Sequence, residues 1–521
     1  MKSISAPLPH FRSSLFTAQH VPVYLAVALF LFHLLFNLWD SYGIFRDEFY
    51  YLACSKRLAW GYVDQPPLSV ALLRLQTSLF GDSLVALRLL PALALAGTVM
   101  LTGRLVQRMG GDLLAVLIAC IAVMLAPIYL AMGSFYSMNS LDIFLWAAVA
   151  YTIVAIVDKP APVRWLLLGV LLGLGLVNKV GFLWLGGGLL VGILLTPLRQ
   201  QLLTPWPYAA AAMALLGFLP FVLWNVAHDM AHLEFMRNAL AYKYAGISRW
   251  DFVSGLFLQM NPIAFFLWLP GLYFLIFHRE GRRYAILAYI FLFAFAVLLL
   301  NGHSKSEYLA PAFTHVLAAG SVWVASWQHQ HNARWLVYGL LVTLCFTGIM
   351  LAPLARPVLP VETFINYSQT LGIAPDNSEG KELKALPQFY ADRFGWKAMA
   401  AAVADAFDQL TPEEQLQAII YTQNYGEAGA LEYYQQTYGL PPVISGHNAY
   451  WTWGWGTRNL QVLIGVGGKQ QDYEQSYEEV KLVGRHHAAL AMPYEDKLPI
   501  YLCRGLKRSP QEIWPSTKNY N

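Results

Sequence analysis

Long apolar stretches separated by short polar segments fill the first two thirds of the chain. About eleven of them predict membrane-spanning helices, since a helix needs roughly 17–25 mostly apolar residues to cross a bilayer. The fifth and sixth stretches are short and lie close together, so they could also form one broken helix. The predicted spans are residues 21–39, 84–101, 113–132, 141–157, 165–177, 181–196, 208–226, 252–277, 284–300, 308–327 and 335–351.

Composition supports the same class of protein. The chain has 521 residues, of which 57% are hydrophobic and 13% are charged. Soluble proteins carry roughly 25% charged residues, so these values indicate a polytopic α-helical membrane protein whose constant partner is the lipid bilayer. The net charge of +4 is small and no basic run is dense, which argues against a nucleic-acid partner.

Basic residues in short loops predict the orientation, because such loops tend to stay on the cytoplasmic side. With a cytoplasmic N-terminus, an odd number of spans places the C-terminus outside the cell (inner) membrane. Merging the fifth and sixth spans would reverse that parity. The basic positions of the predicted inner loops are Arg104, Arg108, Lys159, Arg164, Arg199, the segment 278–283 and Arg334.

The composition changes near residue 354. Residues 1–353 form the predicted membrane domain, residues 354–386 read as a proline-containing linker, and residues 387–521 read as an extracytoplasmic soluble α/β domain. Helical periodicity covers 396–410, and Thr411 followed by a proline and two acids is typical of a helix start. Strands are predicted at residues 418–422, 460–465, 479–483 and 500–503.

The first outer loop, residues 40–83, holds the strongest candidate chemistry. Asp47 and Glu48 are adjacent acids a few residues beyond the first span. Apolar positions at helical spacing over 47–59 and 66–80 predict two amphipathic helices that lie on the membrane surface. Neighbouring residues on a helix point in different directions, so the two acids should have different tasks.

Several motifs in chain order resemble one family. They are Arg-Asp-Glu-Phe-Tyr-Tyr at 46–51, Gly-Tyr-Val-Asp-Gln-Pro-Pro-Leu at 61–68, Leu-Arg-Leu-Leu-Pro at 87–91, Tyr-Ser-Met-Asn-Ser-Leu-Asp at 136–142, Gly-Leu-Gly-Leu-Val-Asn-Lys at 173–179 and Lys-Ser-Glu-Tyr-Leu-Ala-Pro at 305–311. The set is similar to the GT-C membrane glycosyltransferases, in the branch of glycosyltransferase family 39 with the protein mannosyltransferases and the bacterial aminoarabinose transferases. The resemblance covers about the first 330 residues.

The resemblance implies an inverting transfer of a sugar from a polyprenyl-phosphate-sugar donor to an envelope acceptor at the outer membrane face. An acceptor hydroxyl must lose a proton as it attacks, and Asp47 is the expected base. Glu48 and Asp142 are expected to orient Asp47, to bind sugar hydroxyls, or to hold a divalent cation together with it. No other cofactor is expected.

The leaving phosphate needs cationic partners. Position 65 departs from the family, in which a lysine is common where this chain has Gln65, so another cation has to serve the phosphate. The predicted substrate-binding residues are Arg46, Tyr50, Tyr51, Asp64, Gln65, Lys179, Arg237, Lys243, Lys305 and Tyr308.

Two other classes of function fit the composition. A lipid or solute transporter, or flippase, would have a similar number of spans, and a non-catalytic envelope assembly protein could use the C-terminal domain for binding. That domain has polar and aromatic residues close together at 423–429 and 445–455, a combination suited to carbohydrate. It could recognise the acceptor or form a structural cap over the outer face.

Overall fold

The computed structural model describes residues 19–39, 42–375 and 382–521. The predicted membrane part is mostly helical over its described residues, from Val21 to Ala355. Its helices are α1 (Val21–Leu38), α2 (Arg46–Ser55), α3 (Leu68–Phe80), α4 (Leu84–Leu87), α5 (Leu89–Arg108), α6 (Leu113–Met124), α7 (Pro127–Met132), α8 (Met138–Asp158), α9 (Pro162–Leu176), α10 (Phe182–Leu195), α11 (Trp206–Ala227), α12 (Ala231–Asn238), α13 (Arg249–Gln259), α14 (Phe265–Phe277), α15 (Ala285–Asn301), α16 (Phe313–His331) and α17 (Arg334–Ala355).

The predicted spans coincide with helices. Within the described residues, seven helices are long and apolar enough to cross a membrane, and two pairs bent by 96° would each add one more. The two remaining predicted spans correspond to α6, of 12 residues, and α9, of 15 residues, which are shorter than a typical crossing. Length and hydropathy thus support up to nine spans rather than eleven, and the polytopic helical class is confirmed.

Glycines allow the helices to approach closely. A Cβ at Gly320 of α16 would overlap the carbonyl oxygen of Leu267 on α14, and one at Gly271 would overlap that of Val316. In the same way Gly188 of α10 lies against the backbone of Ile290 on α15. Because lipid competes for apolar side chains, such backbone contacts hold membrane helices together. Since α10 packs on α15 while α9 packs on α11, α9 and α10 are two helices and not one broken span.

The C-terminal part contains one mixed sheet covered by helices. Its strand order is β2-β1-β3-β5-β4; β1 pairs in parallel with β2 and β3, and β5 is antiparallel to β3 and β4. The strands are β1 (Ile419–Thr422), β2 (Val443–Ser445), β3 (Val462–Val466), β4 (Tyr477–His486) and β5 (Leu498–Leu506). The helices are α18 (Val361–Thr370), α19 (Gln388–Ala391), α20 (Trp396–Phe407), α21 (Pro412–Gln417), α22 (Tyr425–Tyr433), α23 (Gln435–Tyr438), α24 (Ala449–Trp453), α25 (Gln470–Glu474) and α26 (Pro510–Ile513).

The predicted α/β class of the C-terminal part is confirmed. The four predicted strands match β1, β3, β4 and β5, whereas the three-residue β2 has no alternating pattern from which it could be read. Thr411 accepts a hydrogen bond from the Glu414 backbone and begins α21, as predicted. In the predicted linker, α18 packs the ring of Phe364 on that of Tyr390 at 4.3 Å, and residues 376–381 lie outside the described residues.

Helix α2 differs most from expectation. It forms within the predicted segment, but nine of its ten residues are buried, so it does not lie on the membrane surface. Its apolar side chains belong to the same hydrophobic core as Trp396, Met399 and Leu431 of the C-terminal domain. Just beyond the end of α2, Arg57 pairs with Glu432 of that domain at 3.0 Å. By contrast, α3 keeps an exposed apolar face, as an interfacial helix does.

Candidate active site

A cavity of about 460 Å³ lies where α2 meets the membrane helices and the C-terminal domain. This volume is in the usual range for a small-molecule site. Nine of the ten predicted substrate-binding residues line it, along with Asp47. They are Arg46, Tyr50, Tyr51, Asp64, Gln65, Lys179, Lys243, Lys305 and Tyr308.

Asp47 lies in the first turn of α2, where the helix dipole favours a negative charge. Its side chain keeps about a third of its surface exposed and faces the cavity. Oδ1 lies 3.5 Å from Nε of Arg46 and accepts a hydrogen bond of 2.9 Å from the hydroxyl of Tyr425. Arg46 is held in turn by Asp392 at 3.5 Å and by the hydroxyl of Tyr494 at 2.7 Å, so its charge is largely matched within the protein.

Glu48 is completely buried and lies outside the cavity. Its two oxygens accept hydrogen bonds from Arg88 at 2.9 and 2.8 Å, from the Tyr136 backbone at 2.8 Å and from the Phe45 backbone at 2.8 Å. A carboxylate with these four donors has no direction left for a substrate. The structure therefore places Glu48 as the residue that fixes the start of α2, which agrees with the expected task of orienting Asp47 and not with contact to a sugar hydroxyl.

Asp142 is also buried and lies behind the cavity wall. It pairs with Lys179, whose Nζ is 3.6 Å from its Oδ2 and donates to Oδ1 of Asn139 at 2.6 Å. Lys179 itself lines the cavity and lies over the ring of Tyr308 at 5.2 Å. The pair therefore presents a lysine to the cavity, with the carboxylate as its counter-charge.

The three acids proposed as metal ligands do not converge. Glu48 is matched by Arg88 and Asp142 by Lys179, while only Asp47 lines the cavity. Across the part of the chain that the structure describes, no three or more His, Cys, Asp or Glu side chains form a group suited to a metal ion. The three acids are therefore not arranged to bind one divalent cation together.

Asp64 forms a second acidic position in the cavity wall. It accepts a hydrogen bond of 2.8 Å from Tyr50, whose hydroxyl also accepts one of 3.2 Å from the Ala449 backbone. Burial raises the pKa of Asp64 to about 6, and the hydrogen bond from Tyr50 opposes that change. Next to it, Gln65 is buried and its side-chain Nε2 has no acceptor among the described residues.

Lysines form the cationic side of the cavity. Lys305 has Glu307 at 3.9 Å and the ring of Tyr244 at 5.0 Å, and Tyr244 hydrogen-bonds the Tyr308 hydroxyl at 3.3 Å. Together with Lys179 and Lys243 it leaves several positive charges around one space. Arg237, which the sequence also suggested, is exposed on α12 and does not line the cavity, because its helical position turns it away.

Sequence reasoning assigned no site role to several residues of the cavity wall. Tyr425, Asn448 and Asn521 come from the C-terminal domain, and Asn139 comes from the start of α8. Tyr425 and Asn448 lie in the two polar, aromatic stretches noted above, but nothing in those stretches indicates which residue faces the membrane part. Asn139 lies inside the motif at 136–142, where the acid at its end drew attention instead.

A family model matches part of this chain. The family model described as dolichyl-phosphate-mannose-protein mannosyltransferase matches residues 64–224. Comparison with curated protein sequences found no match. The family-model match confirms the sequence resemblance over that stretch.

Solved structures show the same fold. The chain is similar to ArnT from Cupriavidus metallidurans in the apo state, with a TM-score of 0.61 and 14% identity over 93% of this chain and 98% of that one. It is also similar to the same protein bound to undecaprenyl phosphate, with a TM-score of 0.59, the same identity and the same coverage. These matches confirm a GT-C-like, ArnT-like fold that includes the C-terminal domain.

The buried Glu48–Arg88 pair generates a prediction about stability. Arg88→Met leaves the buried Glu48 charge without its cationic partner, and breaking a buried pair in this way typically costs about 3–5 kcal/mol. Thermal unfolding of the detergent-solubilised protein should show a large fall in stability, and adding Glu48→Gln should recover part of it. Lys384→Met is the control, since it removes a partly exposed pair with Asp496 that contributes about 0–1 kcal/mol. Equal effects of Arg88→Met and Lys384→Met would contradict the assignment.

The raised pKa of Asp64 generates a prediction about pH. Between pH 4 and 6 the unfolded chain loses this proton while the folded chain keeps it, so Asp64 lowers stability as pH rises. Asp64→Asn should therefore gain stability relative to the unchanged protein as pH rises from 4 to 6.5, by at most about 3 kcal/mol. Unfolding temperatures across this range measure the gain, with Asp82→Asn, an exposed acid of the same loop, as control. A pH-independent difference would show that Asp64 titrates normally.

Proposed function

We propose that this chain is an inverting glycosyltransferase that moves a hexosyl or pentosyl group from a polyprenyl-phosphate sugar to an envelope acceptor. The observation that carries the proposal is the cavity, where an exposed carboxylate, several lysines and an apolar wall share one space. The GT-C-like fold and the matched family model support it. One of the similar structures is described as bound to undecaprenyl phosphate, which is the donor chemistry that this arrangement suits.

The apolar wall suits the lipid chain. It is formed by residues of α10, α12, α15 and the π-helical turn Ala239–Lys243. Leu183 and Leu240 are about half exposed, so the wall opens toward the outside of the helical bundle, where a bilayer lipid can enter. The apolar residues of this wall are Leu183, Trp184, Phe235, Leu240, Val297 and Leu298.

The lysines suit the phosphate. Lys179, Lys243 and Lys305 line the same cavity, and a phosphate that leaves with both electrons of the broken bond gains negative charge. They replace the cation that the family carries at position 65, where Gln65 offers an uncharged amide. Asp142 is the counter-ion of Lys179. This ion pair holds the lysine side chain in position when no substrate is bound.

Asp47 is the proposed base. It takes the proton of the acceptor hydroxyl while the hydroxyl oxygen bonds to the anomeric carbon of the sugar. The bond from that carbon to the phosphate oxygen breaks, and the lipid phosphate leaves. Because attack and departure occur on opposite sides of the carbon, the configuration inverts. A positioned base contributes roughly 10²–10⁴ in rate.

We infer the orientation from helix α8, which runs from the cavity to the opposite face of the bundle. Its first residues, Met138 and Asn139, line the cavity, and its last, Asp158, lies 3.3 Å from Arg108 and 3.9 Å from Arg283. Its 21 residues span about 30 Å, the thickness of the hydrocarbon layer. Placing the arginine-rich end in the cytoplasm puts the cavity and the C-terminal domain outside an inner membrane.

Transfer activity tests the proposal directly. Purified protein in detergent would receive labelled undecaprenyl-phosphate sugars and an envelope extract, and label should move to the extract. Asp47→Asn should lower the rate by roughly 10²–10⁴ while binding of undecaprenyl phosphate stays unchanged, since the base acts only on the acceptor proton. Asp82→Asn is the matched control and should retain activity. No transfer from any donor of a broad panel would refute the enzyme, and an active Asp47→Asn variant would refute Asp47 as its base.

Lipid-phosphate binding tests the cationic side. Lys305→Met should weaken the binding of undecaprenyl phosphate by roughly 10–100-fold, the effect of losing one charged hydrogen bond. Microscale thermophoresis in detergent would measure it. Arg237→Met removes an exposed cation outside the cavity and should leave the affinity unchanged. Equal losses in both variants would indicate a general effect of charge instead of a local contact.

A further inference from the structure

The C-terminal domain reaches the cavity through helix α22. A Cβ at Gly429 would lie 2.8 Å from the backbone of Phe49, so α22 and α2 meet almost backbone to backbone. Around this contact, the ring of Phe49 packs on Trp396 at 5.9 Å and on Tyr433 at 5.5 Å. A contact of this tightness fixes the first residue of α22 relative to Asp47.

That first residue is Tyr425, which is buried and held from both sides. Its hydroxyl donates to Asp47 at 2.9 Å and accepts a hydrogen bond from Arg46 at 3.3 Å, and its ring lies 4.7 Å from that of Tyr50. From the domain side, its backbone N–H donates to Nδ1 of His447 at 3.3 Å. The hydroxyl is therefore set in place before substrate arrives and limits where the Asp47 carboxylate points.

Asn448 supplies a second polar group on the same wall. It is 1% exposed and lines the cavity, and its Oδ1 accepts no hydrogen bond from any described residue. Its Nδ2 donates to the Asn521 carbonyl at 3.3 Å, which leaves the oxygen as the unused end of the amide. Its backbone has a φ of +47°, a conformation that costs energy in a residue with a side chain and that clusters at functional sites. A buried acceptor without a donor is also costly, unless a ligand supplies one.

The two walls of the cavity are chemically distinct. Lys179, Tyr308 and Lys305 belong to the membrane part and suit the phosphate, whereas Tyr425 and Asn448 accompany the base. In an inverting displacement the nucleophile and the leaving group lie on opposite sides of the anomeric carbon. The groups beside the base therefore face the acceptor.

We propose that the C-terminal domain completes the active site by forming its acceptor side, where Tyr425 positions Asp47 and Asn448 Oδ1 accepts a hydrogen bond from a hydroxyl of a polyhydroxylated acceptor. This inference rests on the proposed function. It assigns the domain a direct part in substrate binding, beyond that of a cap over the outer face. Tyr425 is a positioning residue, because it acts on the substrate through Asp47.

Two variants with separate readouts test the inference. Tyr425→Phe removes the hydroxyl that fixes the direction of the Asp47 carboxylate, so kcat for transfer should fall roughly tenfold while KM for the undecaprenyl-phosphate sugar stays unchanged. Asn448→Gly keeps the positive φ and removes the amide. It should raise KM for the envelope extract roughly tenfold, with KM for the undecaprenyl-phosphate sugar unchanged.

Tyr433→Phe is the matched control, on the same helix and packed on Phe49 of α2. It should change neither kcat nor either KM, and unfolding temperatures would confirm that all three variants fold. If Tyr425→Phe does not fold, the KM split of Asn448→Gly decides alone. Transfer by the unchanged protein, with both variants behaving like Tyr433→Phe, would overturn the inference and leave the enzyme standing. Absence of transfer by the unchanged protein would instead overturn the proposed function.

Discussion

The buried pair of Glu48 and Arg88 is the interaction on which the site geometry depends. Both side chains are fully buried, and their charges are matched by each other and by backbone N–H groups of Phe45 and Tyr136. The pair joins the start of α2 to the beginning of α5 and to the segment before α8. Without this ion pair, the first turn of α2 would not be held in one orientation, and the side chain of Asp47 in that turn would not be either. A buried ion pair adds little net stability over apolar packing, so its contribution here is to specify one arrangement.

Helix α2 packs into both parts of the protein, so no clear boundary separates them. It comes from the first outer loop, yet its apolar side chains complete the core of the C-terminal domain. One face of α2 therefore lines the cavity, and the other packs into a hydrophobic core built mainly from residues beyond 390. The charges of the site are matched across this boundary as well, since Arg46 contacts Asp392 and Tyr494. Residues of both parts thus form the cavity.

Much of the fold could be predicted, because hydropathy and periodicity are local signals. Apolar stretches gave the membrane helices, and alternation gave four of the five strands. The position of α2 could not be predicted, since an amphipathic pattern shows only that two faces differ and not what each face meets. The site divides in the same way. Asp47 and Lys179 stood out as charges near a membrane boundary, whereas the structural use of Glu48 depends on Arg88, forty positions away. Tyr425 and Asn448 lie in stretches that stood out, but their individual roles could not be predicted, because these roles come from contacts across several hundred residues.

The hydrogen bond between Tyr425 and Asp47 joins residues that are 378 positions apart. A ribosome adds roughly 5–20 residues each second. Tyr425 is therefore synthesised tens of seconds after Asp47. During that interval α2 has no α22 to cover it, and the rings of Phe49 and Tyr50 are left without their later neighbours. Closing so long a loop is entropically unfavourable until the membrane helices have brought its ends together. The active geometry therefore forms last, after insertion and after folding of the C-terminal domain, so an incompletely made chain lacks it.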